Sequence, residues 1–192
     1  MLITLVFHPP TPLQDRSLAQ AITSKTLKRR KQDERRKKMT FLIYYVIGWI
    51  VGLVAMFVTG SMKDIASAAY TLLLYQLTVT VGLTGILGGY GHLFLRDRVA
   101  RSIGWPTGTL FQAELGYCSL GMGLLGVMSF WYRDNFWLAT IVFTTVFLIG
   151  AAIVHIKEML QKRNFNPGNA ITIIPDILIP ITLFVLWFIA KK

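Results

Sequence analysis

Cysteine is nearly absent from this 192-residue chain. The single thiol, Cys118, excludes an internal disulfide framework, a Cys-x-x-Cys redox pair and any multi-cysteine zinc or iron–sulfur site. Histidine is almost as scarce, with only His8, His92 and His155. Charge is thin as well. Charged residues make up 15% of the chain, against about a quarter in an ordinary soluble domain. No Ser-His-Asp order and no Gly-rich phosphate loop is visible, so nothing marks a hydrolase or a nucleotide enzyme. An isolated thiol among apolar residues, as Cys118 is, reads as packing rather than as a nucleophile.

What the chain does have is apolar length. Hydrophobic residues make up 54% of it, gathered into stretches with almost no polar face. A continuous apolar run of about 18 residues or more reads as a membrane span. Five such runs are expected, at about 41–59, 68–95, 111–131, 136–156 and 170–190. Helices are the only fitting spans, because a barrel needs alternating strands of about ten residues. The expected fold is therefore an all-α integral membrane protein with five transmembrane helices.

The charges cluster. Residues 1–38 hold ten of the twenty Lys and Arg and three of the nine acids. A run such as KRRKQDERRKK directly before a membrane span points to anionic lipid headgroups rather than to nucleic acid. The opening MLITLVF is too short for a secretory h-region and meets His8-Pro9-Pro10 at once, which argues against a signal peptide. Met39 opens the first span. The expectation is that Met39 is the natural start, that residues 1–38 are a basic cytoplasmic tail outside the native protein, and that 39–192 form the membrane domain.

With the N-terminus inside, sixteen Lys and Arg fall on the inner side, including Arg96, Arg98, Arg101, Lys157, Lys162 and Arg163. Four fall outside: Lys63, Arg133, Lys191 and Lys192. Positive charge stays cytoplasmic, so the expected topology is N-terminus in and C-terminus out. Trp131, Tyr132, Phe136, Trp137 and Trp187 would mark the outer border.

Two stripes of small residues recur at helical spacing: Gly82, Gly85, Gly89 with His92, and Gly116, Ser119, Gly123, Gly126. Such stripes let helix backbones approach closely in lipid. Four ionisable residues fall in or beside the spans, and the topology brings His92, Glu114, His155 and Asp176 to a similar depth on the inner side. Ionisable groups there are costly unless paired, so they tend to face the bundle interior. A faint repeat links them: His92 is followed by Pro106, Gly108 and Glu114, and His155 by Pro167, Gly168 and Asp176. Two hairpins of like orientation would build a four-helix bundle of parallel repeats, with the first span added.

The stretches GWPTGTLFQAELG, FLIGAAIVHIKEM, NFNPGNA and PDILIPI resemble a family of uncharacterised small multi-pass membrane proteins of bacteria and archaea. The resemblance covers about Phe41 to the last residue. It implies a location in the prokaryotic cell (inner) membrane and no known activity, so no site residues carry over. In architecture alone the four-helix plan is similar to the DoxX-like group.

Three roles suit the four residues. Two His–carboxylate hydrogen bonds between helices would simply fix the register. A small proton-coupled transporter would use paired ionisable groups and a Pro-broken helix, and at five short spans would need a homo-oligomer. A metal or haem site would take His92 and His155 as ligands. Tyr90 and Gln112 lie near the cluster and are not singled out by any pattern.

Overall fold

The computed structural model describes Ser24, Lys25 and residues 40–192. The chain divides into two units, 1–37 and 38–192. The basic tail, His8, the Met39 start and the expectations placed on them lie outside the described residues.

Among the described residues the structure is helical and contains no strand. Helix α1 (Thr40–Thr59) is a run of apolar residues ending at Gly60, whose φ of 67° stops it. Its twenty residues give about 30 Å at 1.5 Å each, a bilayer's hydrocarbon thickness. Asp64 then caps α2 (Ile65–Tyr75), its Oδ1 accepting the Ser67 N–H at 2.8 Å. Helix α2 continues without a break through a π segment (Gln76–Val81) into α3 (Gly82–Phe94). The sequence QLTVTV explains the looser turn. Thr78 bonds back to the Leu74 carbonyl, and the Thr80 hydroxyl bonds to Gln76 Oε1 at 2.7 Å. Hydroxyl and amide side chains thus compete with the main-chain ladder in a β-branched run.

A short helix α4 (Arg96–Ile103) follows, then α5 (Phe111–Met128), α6 (Asn135–Lys162), the single turn α7 (Pro167–Ala170) and α8 (Ile173–Ala190). Helices α3 and α5 touch backbone to backbone along the two small-residue stripes. A methyl group on Gly85 would lie 2.2 Å from Gly123 N, and one on Gly126 would lie 2.6 Å from Gly82 N. Leu73, Leu77, Met122, Trp137, Ile141, Ile179 and Leu183 form the core where α2, the π segment, α5, α6 and α8 meet.

The two connections that follow α3 and α6 lie at one end of the bundle. Asn164 Nδ2 donates to the Ile103 carbonyl at 2.8 Å, and a methyl on Gly168 would lie 2.3 Å from the Ser102 carbonyl. Helices α3 and α6 therefore finish at the same end, and α5 must run back between them.

Four helical stretches are long and apolar enough to cross a membrane: Phe41–Thr59, Ile65–Phe94, Asn135–Lys162 and Pro167–Ala190. By length and composition this is an integral membrane protein. The expected boundaries shift in detail. The second span starts earlier, at Ile65, and the fourth runs on to Lys162 rather than stopping at 156. The stretch expected at 111–131 is helical only to Met128, and its glycines, Glu114 and Gln112 keep it out of the strongly apolar set.

Candidate functional site

His92 sits in the last turn of α3 and His155 about two turns before the end of α6. Each imidazole is held by a neutral amide from the next element. His92 Nδ1 lies 2.7 Å from Gln112 Oε1, on the first turn of α5. His155 Nδ1 lies 2.7 Å from Asn169 Oδ1, on α7. Asn169 is fully buried, and its Nδ2 gives both hydrogens away, to the His155 carbonyl at 3.0 Å and the Asn164 carbonyl at 3.1 Å. Its Oδ1 therefore accepts, and His155 Nδ1 donates. An amide oxygen can only accept, so His92 is protonated on Nδ1 in the same way. Both neutral imidazoles thus carry their free lone pair on Nε2.

The loops are tied into a knot around these rings. Asn164 Oδ1 accepts the Asn166 amide at 2.8 Å. Gly104, at φ 78°, leaves room for that pair, since a methyl there would lie 2.2 Å from Asn166 Nδ2. The Trp105 ring lies 5.7 Å from the His155 ring at a tilt of 32°. Its buried Nε1–H has no partner.

The carboxylates do not join them. Glu114 is exposed on the first turn of α5. The His–carboxylate hydrogen bonds expected between helices are not formed; Gln112 and Asn169 take their place. A neutral amide satisfies an imidazole N–H without placing two charges in a low-dielectric interior, where desolvation offsets their attraction. Among the described residues, no three His, Cys, Asp or Glu side chains converge to hold a metal ion.

Asp176 stands apart and is the more unusual residue. It lies in the first turn of α8 at 7% exposure. No hydrogen bond or ion pair reaches its carboxyl among the described residues. Pro180, inside the same helix, follows four residues later. Proline has no N–H to donate, so the Asp176 main-chain carbonyl also loses its helical partner. A side-chain acid and a freed carbonyl thus come from one residue in the bundle interior.

Other buried polar side chains are not ionisable. Gln76, 1% exposed at the start of the π segment, has its Nε2 unpartnered. The buried hydroxyls of Thr84 and Thr144 are likewise without partners. Gly48 of α1 presses on this segment, since a methyl there would lie 2.0 Å from Thr80 Oγ1. The sequence signal for these residues was one amide and three threonines inside apolar runs.

No curated protein and no solved structure matches the chain. A family model does, over residues 38–192, and its description is a family of unknown function, DUF6790. That match takes in every helix from α1 to α8, and the chain belongs to this family.

Proposed function

We propose that the chain is a small proton-coupled carrier of the prokaryotic cell membrane in which Asp176 holds the transported proton. What supports this reading is Asp176 itself, an acid at 7% exposure in an apolar helix whose carboxyl makes no hydrogen bond or ion pair among the described residues. An ionisable group kept at that cost inside a span marks an ion or substrate pathway by default. The Pro180 break beside it suits the discontinuous helices that carriers place at their binding sites.

The same reading makes α5 the fifth crossing. Its eighteen residues reach about 27 Å, and the chain must return between α3 and α6. The N-terminus then lies in the cytoplasm and the C-terminus outside, with Arg96, Arg98, Arg101, Lys157 and Lys162 on the inner face. His92 and His155, each with a bare Nε2, form the inner mouth. Helices α3, α5, α6 and α8 form the two hairpins of the repeat, and a homo-oligomer supplies the rest of a pathway that five short spans barely enclose.

Purified protein in liposomes with an internal pH dye tests this. A pH gradient should collapse faster than in empty vesicles, and Asp176→Asn should abolish the difference while the protein stays folded. Equal flux in the Asn variant would rule the reading out.

One observation favours a second reading, metal or haem binding. An imidazole that donates Nδ1–H to a fixed oxygen and leaves Nε2 bare is oriented as metal-bound histidines are. With two imidazoles and no cluster of three His, Cys, Asp or Glu among the described residues, His92 and His155 would suit holding a haem iron better than a zinc ion. Protein purified without haem absorbance and without stoichiometric metal would remove this alternative.

A further inference from the structure

The opposite end of the bundle carries a site of different chemistry. A cavity of about 220 Å³ lies between the starts of α2 and α6 and the last turn of α8, lined by Tyr70, Asp134, Trp137, Trp187, Ala190 and Lys191. At about 30 Å³ per water it has the room of about seven waters. A second cavity of about 340 Å³ adjoins it, sharing Tyr70 and Ala190.

Three observations describe what this cavity suits. Its walls are aromatic: Tyr70 packs on Trp137 with ring centres 4.8 Å apart, and Trp187 completes the lining. An exposed aspartate, Asp134, is part of its lining. Asp134 sits at φ 52°, ψ −115°, a backbone conformation L-residues rarely adopt. It stands directly before α6, where an aspartate ordinarily caps the helix, and its side chain makes no capping bond. Strain of this kind persists only where the surroundings enforce it, and it concentrates at binding sites. Finally, the aromatic faces already take cations. The Lys191 ammonium lies 4.5 Å from the Trp187 ring centre, and the Arg133 guanidinium lies 5.2 Å from that of Trp137.

We infer that this cavity binds a small organic ammonium, which displaces the Lys191 side chain from Trp187 and is neutralised by Asp134. Aromatic walls with one carboxylate are the chemistry that recognises such cations, because the ring quadrupole attracts a poorly hydrated charge that water holds weakly. Lys191 is a place-holder: it is exposed, on a flexible stem, and leaves for solvent at little cost. The ammonium comes either from a soluble amine or from the headgroup of a neighbouring lipid. The inference is independent of proton transport, since it concerns other residues and is read as binding.

The test is tryptophan emission of the full chain in a maltoside detergent, titrated with tetramethylammonium chloride against sodium chloride at matched ionic strength. A saturable shift is expected with the ammonium salt alone. Lys191→Ala should tighten binding several-fold. Asp134→Asn should weaken it at least tenfold. Asp134→Gly relieves the backbone and should raise the thermal midpoint while losing binding, a combination that a purely structural Asp134 does not give.

Nanodiscs separate the two sources. If the ligand is a lipid headgroup, phosphatidylcholine discs fill the site and added tetramethylammonium has no further effect, whereas phosphatidylglycerol discs still respond. If it is a soluble amine, both respond alike. No saturable shift in detergent or in phosphatidylglycerol, or an Asp134→Asn variant that binds as the wild type does, overturns the inference.

Discussion

Asn169 grips His155 from two sides, accepting from its Nδ1 at 2.7 Å and donating to its main-chain carbonyl at 3.0 Å. A third bond, to the Asn164 carbonyl, ties this pair to the loop that closes over α4. One buried amide therefore sets the tautomer of His155, the end of α6 and the position of the α6–α8 connection. Asn169→Ala leaves the His155 imidazole N–H and the Asn164 carbonyl without their partners, while the His155 carbonyl keeps its bond within α6. Each unsatisfied buried group costs about 1–3 kcal/mol, so a loss near the upper end of that range is expected. It should appear as a fall in the thermal midpoint of about 2–4 °C per kcal/mol for a chain of this size. Asn169→Asp tests the orientation argument separately. A carboxylate there has no hydrogens for the two carbonyls, so it should not rescue stability.

The contact between α3 and α5 predicts opposite outcomes for chemically identical changes. A methyl on Gly85 would lie 2.2 Å from Gly123 N, and one on Gly123 would lie 2.4 Å from Ile86 N. Both obstacles are main chain and cannot swing aside. Gly85→Ala and Gly123→Ala should each cost about 3 kcal/mol or more, with loss of monodisperse protein on size exclusion. Gly121, on the same helix as Gly123, has nothing within 4 Å of an added methyl. Gly121→Ala should be neutral or gain up to about 1 kcal/mol of helix propensity. Equal behaviour at 121 and 123 would mean that the helices do not touch along this stripe.

These contrasts show which parts of the molecule were legible in the residues. Apolar length pointed to five crossings, four of which are long and apolar enough in the structure, and the small-residue spacing at Gly82, Gly85 and Gly89 and at Gly116, Gly123 and Gly126 pointed to close helix packing, because both follow from local periodicity. The partners of the histidines were not legible. Charge rules favour Glu114 and Asp176, but an imidazole in a dry interior is satisfied more cheaply by a neutral amide. The π segment was hidden for a different reason. Its looser turn depends on Thr80 and Gln76 meeting Gly48 of another helix, which no local pattern encodes.

Asp64 predicts an acid-sensitive helix start outside the spans. The Ser67 backbone N–H, and then the Ser67 hydroxyl at 2.7 Å, stabilise its charged form and hold its carboxyl below the ordinary range. A carboxyl with a depressed folded pKa contributes fully above its unfolded value of about 3.9. That contribution is lost as pH falls toward the lower folded value, where the group takes up a proton. Asp64→Asn keeps a capping oxygen but has nothing to titrate. As pH falls from about 5 through the unfolded value of about 3.9 and below it, its thermal midpoint should therefore fall less than that of the wild type. Parallel curves for the two proteins would remove the cap from the account.

Asp176 leads to the sharpest prediction, because stability and transport should move in opposite directions. A buried polar group without a partner costs about 1–3 kcal/mol in protein mutational data. Asp176 is 93% removed from the surface by its exposure of 7%, and nothing bonds to its carboxyl among the described residues. Asp176→Leu exchanges that group for an apolar one of similar length beside Ile179 and Leu183, which are already buried on α8. The variant should unfold at a higher temperature, by about 2–4 °C per kcal/mol recovered, and should carry no proton flux in liposomes. Functional residues are often retained at a cost to stability in this way. A Leu variant that is less stable than the wild type would mean that the carboxyl has a structural partner in the folded protein, and the argument for a transported proton would lose its starting point.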